Sequence, residues 1–135
     1  MIKVFVDTAA WIALWDADDG LHSRAEIVLD TLQRQNALLV TTEFVLLEVA
    51  DAFCAPATRT QTVAFINNLQ QSSSLQIIPA SSTLFADGWV LYSQRPDKEW
   101  GLTDCTSFVV MTQQRITEAF TSDHHFEQAG FVKLL

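Results

Sequence analysis

Short apolar runs recur along this chain with room for one or two helices between them, and this spacing limits the fold more than any other feature. Residues 2–6 (IKVFV), 37–40 (ALLV), 75–79 (LQIIP), 118–122 (EAFTS) and 131–135 (FVKLL) each read as a strand. Strands this short and this apolar are buried on both faces. The stretches between them carry helical spacing. Residues 9–17 make a first helix that ADDG at 17–20 breaks, and residues 22–35 a second, with Ala25, Val28, Leu29 and Leu32 on one side. Thr41 or Thr42 caps a third helix that runs to about Ala55 and is ended by Pro56. Residues 58–71, with Val63, Ile66 and Leu69 on one side, residues 81–94, and the stretch from Thr103 to Arg115 are expected to be helical, with RPDKEWG as a loop before the last. Helices alternating with buried strands give an α/β fold, a three-layer α/β/α sandwich around a mostly parallel sheet. No repeat or low-complexity tract interrupts the pattern, so residues 1–135 are read as a single domain.

Composition removes several function classes. The formal charge is −8, which argues against a simple basic nucleic-acid binder but not against a nucleic-acid enzyme whose acids are offset by cations. No apolar run is long enough to cross a membrane, and Lys3 and Asp7 interrupt any secretory leader. Cys54 and Cys105 are read as buried thiols, which suits a reducing cytoplasm.

Four acids then require an explanation. Asp7 follows the strand VFV, and in open α/β sheets ligands bind at the carboxyl ends of strands. Glu48 lies in FVLLEVADAFCA, a helix apolar on nearly every side. Asp104 follows Thr103, a natural N-cap, so it falls in a first helical turn where the helix dipole favours an anion. Asp123 follows a strand in FTSDHHF. Each alone has an ordinary explanation: a cap, a solvated face, a turn. Together, all four belong at the edge where parallel strands end. Carboxylates converging there would repel one another without cations, and an oxygen-only donor set suits Mg²⁺ or Mn²⁺. A carboxylate-held metal pair is a usual device for phosphodiester cleavage.

These motifs resemble the PIN domain family, most closely its VapC-type toxin ribonucleases from bacterial toxin–antitoxin pairs. The resemblance runs from VFVDTAAWIAL to TSDHHF and the final strand. Asp7-Thr8 matches the opening Asp-Thr. Glu48, seven residues after Thr41, matches the helix acid. LTD, hence Asp104, matches the late helix start. Thr121, Asp123 and Phe126 match the closing T-x-D-x-x-F. Ala9 departs from the small polar residue common in the family, and Cys105-Thr106-Ser107 from small apolar residues. The resemblance implies a metal-dependent endoribonuclease that leaves a 5′-phosphate and a 3′-hydroxyl. In it Asp7, Asp104 and Asp123 hold Mg²⁺ or Mn²⁺, and Glu48 completes the set directly or through water. Thr8 and Thr121 take supporting or substrate-positioning roles. It further implies an RNA substrate, a homodimer and a small antitoxin partner.

The remaining polar residues are assigned plainer roles. His124 and His125 are expected at the surface beside Asp123, His22 at a helix start, and Glu43 in a first helical turn. Arg24, Arg95 and Lys98 form no clear basic patch, and Trp11, Trp15, Trp89 and Trp100 belong to core or interface. The helix 9–17, with Trp11, Ile12, Leu14 and Trp15, is expected to lie partly at a dimer or antitoxin interface. Two other classes compete. A Mg²⁺-binding receiver-like signalling domain wants an adjacent acidic pair after its first strand, where VFVDT offers one Asp. A catalytically silent PIN-like binding module would not need all four acids.

Overall fold

The computed structural model describes residues 1–135. Its five strands are β1 (Lys3–Val6), β2 (Leu38–Thr42), β3 (Leu75–Ile78), β4 (Glu118–Phe120) and β5 (Val132–Lys133). The helices are α1 (Thr8–Trp15), α2 (His22–Arg34), α3 (Glu43–Ala52), α4 (Pro56–Gln71), α5 (Ser82–Gln94), α6 (Leu102–Gln114) and α7 (His124–Gln128). All strand pairings are parallel, in the order β3-β2-β1-β4-β5. Right-handed crossovers put α1 to α4 on one face and α5 to α7 on the other. The packing of α1 on α2 and α3, and of α6 on α5 and α7, agrees with that assignment. The strand order also differs from the 2-1-3-4-5 order of receiver-type folds.

Strand β1 lies at the centre because its residues tolerate no water. Val4, Phe5 and Val6 are fully buried, and Val40, Ala119 and Phe120 on the flanking strands are too. Phe126 stacks beside Phe5, and Phe108 meets Phe126 edge-on. Thr41 does not cap α3. Its hydroxyl donates to the carbonyl of Val6 (2.9 Å) and accepts from the buried Trp11 indole (3.2 Å), so a polar pair is satisfied inside the core. Thr42 is the cap, accepting from the Val45 amide at 3.1 Å.

Several boundaries differ from the sequence expectation. Pro56 does not merely end α3; it opens α4, where a missing N–H costs nothing. The expected N-cap Thr103 lies inside α6, whose N-cap is Gly101. The Asp104 carboxylate reaches back to the Gly101 N–H at 3.0 Å, so the side chain three residues in fixes the helix start. Cys105 is buried as expected, but Cys54 is exposed in the α3–α4 corner. Val63, expected to pack inward on α4, is 54% exposed. Helix α1 is largely covered within the chain: Trp11 packs edge-on to Phe65, and Trp15 lies 4.1 Å from Phe53. The larger apolar exposure is on α5, through Phe85, Trp89, Val90 and Tyr92.

Helices α5 and α6 approach closely because Gly88 has no side chain. A Cβ there would meet Thr106 Cγ2 at 2.6 Å. Gly88→Ala is therefore expected to lower stability by about 1–2 kcal/mol, although alanine is the better helix former. Thr106→Ser removes the opposing methyl and keeps the hydroxyl bond to the Thr103 carbonyl. In that background the penalty should fall by at least half. Denaturant midpoints of the two single variants and the double variant measure this coupling.

Candidate functional site

The strand order reverses beside β1, which pairs with β2 on one side and β4 on the other. At such a switch point the connections leave in opposite directions and a crevice opens at the carboxyl ends of the strands. Asp7 follows β1 there, and Thr121 follows β4. Asp7 occupies the N-cap position of α1, yet its side chain makes no capping bond. Its Oδ2 instead accepts from the buried Thr121 hydroxyl at 3.0 Å. Asp7 is 4% exposed. Burial, reinforced by the charges of Asp104 and Glu48, raises its pKa to about 7, against the hydrogen bonds from the Thr8 backbone and Thr121.

The other acids come from three further elements. Glu48 lies on α3, which touches α6 near the crevice. It is exposed, as a solvated helix face requires, but it is not free: the Thr8 hydroxyl donates to its Oε1 at 2.6 Å. Asp104, in the first turn of α6, is partly buried, and burial followed by the charge of Asp123 raises its carboxyl. The Gly101 amide and His125 oppose that rise. Asp123 caps α7 by accepting from the His125 amide at 2.9 Å, and its own N–H donates to Thr121 Oγ1 at 3.0 Å. Glu48, Asp7, Asp104 and Asp123 thus form one electrostatically coupled row. Thr8 and Thr121 are the hydroxyls that tie the row to the end of β1 and the end of β4. None of the four lines the cavity of about 400 Å³ between α3 and α4.

Two histidines divide. His124 is exposed, as expected. His125 is not a surface residue: its ring is 18% exposed, with Nδ1 3.3 Å from both Asp104 Oδ2 and Asp123 Oδ1. No local pattern signals this position, because it depends on how α6 packs against α7. His22 starts α2 and its Nδ1 contacts the Ala13 carbonyl at 2.7 Å. Glu43 opens α3 and accepts from the Ala80 amide. Arg95 is committed to Asp97 and lies over the Trp100 ring.

Comparison with known proteins agrees with this geometry. The model of the PIN domain family matches residues 4–132. The 23S rRNA-specific endonuclease VapC20 of Mycobacterium tuberculosis is 27% identical over 131 residues, 97% of each chain. Its crystal structure, described as that of a sarcin-ricin loop cleaving toxin, superposes with a TM-score of 0.82 over 96% of both chains. VapBC2 from Rickettsia felis, bound to a promoter DNA fragment, shares the fold at 15% identity, with a TM-score of 0.72 over 98% of this chain and 97% of that one. FitAcB from Neisseria gonorrhoeae shares it at 17%, with a TM-score of 0.65 over 96% and 95%.

The state of Asp7 has a pH signature. In the metal-free protein its folded pKa lies above its unfolded value of 3.8. Between about pH 4 and 7 the folded chain therefore binds more protons than the unfolded chain, and stability falls as pH rises. The loss amounts to a destabilisation of roughly 4 kcal/mol, absent below about pH 4 and complete above about pH 7. Unfolding in EDTA across this range should show that decline. Asp7→Asn should flatten it and be the more stable protein at pH 8.

Proposed function

Because this chain belongs to the PIN domain family, we propose that it is a metal-dependent endoribonuclease, a hydrolase of RNA phosphodiester bonds that acts as the toxin of a toxin–antitoxin pair. One observation carries the proposal: a buried carboxylate with its pKa raised to about 7, coupled to Asp104 and Glu48, with Asp104 coupled in turn to Asp123, at the switch point of a parallel sheet. The name of the Mycobacterium relative supports RNA as substrate and makes structured ribosomal RNA the first to test.

The donor set fits a hard divalent cation. All four candidates are carboxylates, and the cost of burying the Asp7 charge, added to by Asp104 and Glu48, is what a cation would relieve. Asp7, Asp104 and Asp123 would hold Mg²⁺ or Mn²⁺, with Glu48 joining directly or through water. The ion supplies Lewis acidity toward water and the phosphate oxygens. Thr121 holds Asp7 Oδ2 in one orientation and grips the Asp123 backbone. Thr8 occupies Glu48 Oε1, which leaves Oε2 to accept a proton from the attacking water. The Gly101 amide fixes the Asp104 carboxylate in the same way.

The proposal includes a homodimer and a small neutralising antitoxin. The apolar face of α5 is the better dimer candidate than α1, because Phe85, Trp89 and Tyr92 stack there as an exposed ladder. Light scattering should find a dimer that Trp89→Glu converts to a folded monomer; a wild-type monomer at high concentration would contradict it.

Cleavage of structured RNA by the purified protein should require Mg²⁺ or Mn²⁺. Asp7→Asn, Asp104→Asn and Asp123→Asn should each lower it at least about a hundredfold, beyond the 10–100-fold typical of an orienting partner such as Thr121. Losses should not add in double variants, because the acids act as one unit. Asn caps as well as Asp, so a folded Asp7→Asn protein that cleaves at the wild-type rate would refute the assignment.

A further inference from the structure

The acid row ends in Asp123-His124-His125, and the cleavage chemistry above leaves both imidazoles without a task. One donor atom from each of these residues lies within 4.8 Å of the others. His125 Nδ1 is 3.3 Å from Asp123 Oδ1 and 3.3 Å from Asp104 Oδ2, and His124 Nδ1 is 3.7 Å from Asp123 Oδ1. A tetrahedral Zn²⁺ with bonds of about 2.0–2.1 Å keeps its ligand atoms roughly 3.3–3.4 Å from one another. The separations of His125 and His124 from Asp123 lie near that edge length, and the wider one involves His124, which is exposed and able to turn inward; Asp104 stands outside the group of mutually close donors.

We propose that this corner is a second metal site, specific for Zn²⁺ and similar borderline ions, formed by Nδ1 of His124 and His125 with Oδ1 of Asp123, water taking the fourth position, and that filling it switches cleavage off. Imidazole nitrogen selects Zn²⁺ over Mg²⁺, and mixed nitrogen and oxygen sites prefer Zn²⁺ to Mn²⁺. The site is built rather than incidental. Asp123 Oδ1 is aimed by the His125 amide. His125 is largely covered, and its neutral form with the proton on Nε2 presents Nδ1 to both carboxylates. An ion there takes Asp123 out of the oxygen-only set that serves cleavage and engages His125, whose Nδ1 otherwise contacts Asp104. The binding claim stands on the geometry of these three side chains, whereas the inhibition claim rests on the proposed role of the acids.

Co²⁺ serves as the spectroscopic stand-in for Zn²⁺. Titrated into the full chain after EDTA treatment, it should give the intense visible bands of tetrahedral coordination, abolished by one equivalent of Zn²⁺. His124→Ala and His125→Gln should each weaken the site at least about tenfold. In the cleavage assay, Zn²⁺ should suppress Mn²⁺-dependent activity of the wild type. His124→Ala, which alters none of the four acids, should cleave at the wild-type rate with Mn²⁺ and need at least about ten times more Zn²⁺ for half-inhibition. A weak octahedral spectrum, or a tetrahedral one unchanged in both variants, would overturn the site. Zinc that binds there while cleavage continues would overturn the switch. Tetrahedral binding as described, with no cleavage by the wild type under any divalent ion, would instead reject the nuclease function and leave the site standing.

Discussion

An ionised carboxylate shut inside a protein is among the least tolerable groups a fold can contain, and Asp7 is such a group. It sits at the carboxyl end of the central strand, 4% exposed, with fully buried neighbours in Val6 and Thr121. The Asp7 side chain makes no capping bond to α1, and an asparagine in that place would carry no charge to desolvate. The raised pKa measures how poorly the chain alone accommodates the charge. The hydroxyl of Thr121 and the Thr8 backbone offset only part of that cost. Most of the crevice can be understood as a means of holding this one group in position.

The topology explains how acids distant in sequence come to share its field. Glu48, Asp104 and Asp123 stand on α3, α6 and the start of α7, three elements from the two helical layers. They converge only because β1 lies where the strand order reverses. Two threonine hydroxyls then lock the convergence, Thr8 to Glu48 and Thr121 to Asp7. Thr8 opens α1 just after β1 and Thr121 directly follows β4, so the hydrogen bonds that orient the acids also tie them to the sheet. Rigidity of the strands is thereby passed to the carboxylates, which a site built on loops would lack.

Much of this was legible in the residues. VFV and ALLV announce strands buried on both faces, and an acid directly after such a strand has few structural reasons to be there. Glu48 and Asp104 were legible as residues and ambiguous as roles, because a solvated helix face and a helix dipole account for each separately. The start of α6 was not legible: Gly101 is a cap only because Asp104 reaches back to it, a contact that residue preference does not encode. His125 was hidden for a related reason. Its position over two carboxylates depends on the separation of α6 from α7, a tertiary distance with no trace in local spacing. Exposure of Cys54 likewise follows from an open corner between α3 and α4, where the sequence shows only an apolar run.

The central claim is that the crevice beside Asp7 is made for a divalent cation. Crystals of the protein grown with Mn²⁺ and measured at the manganese absorption edge address it without reference to activity or substrate. An anomalous peak at coordination distance from the carboxylates of Asp7, Asp104 and Asp123 is the predicted result. Mn²⁺ bound only elsewhere on this acidic surface, with the Asp7 carboxylate contacting nothing but Thr121, would contradict it.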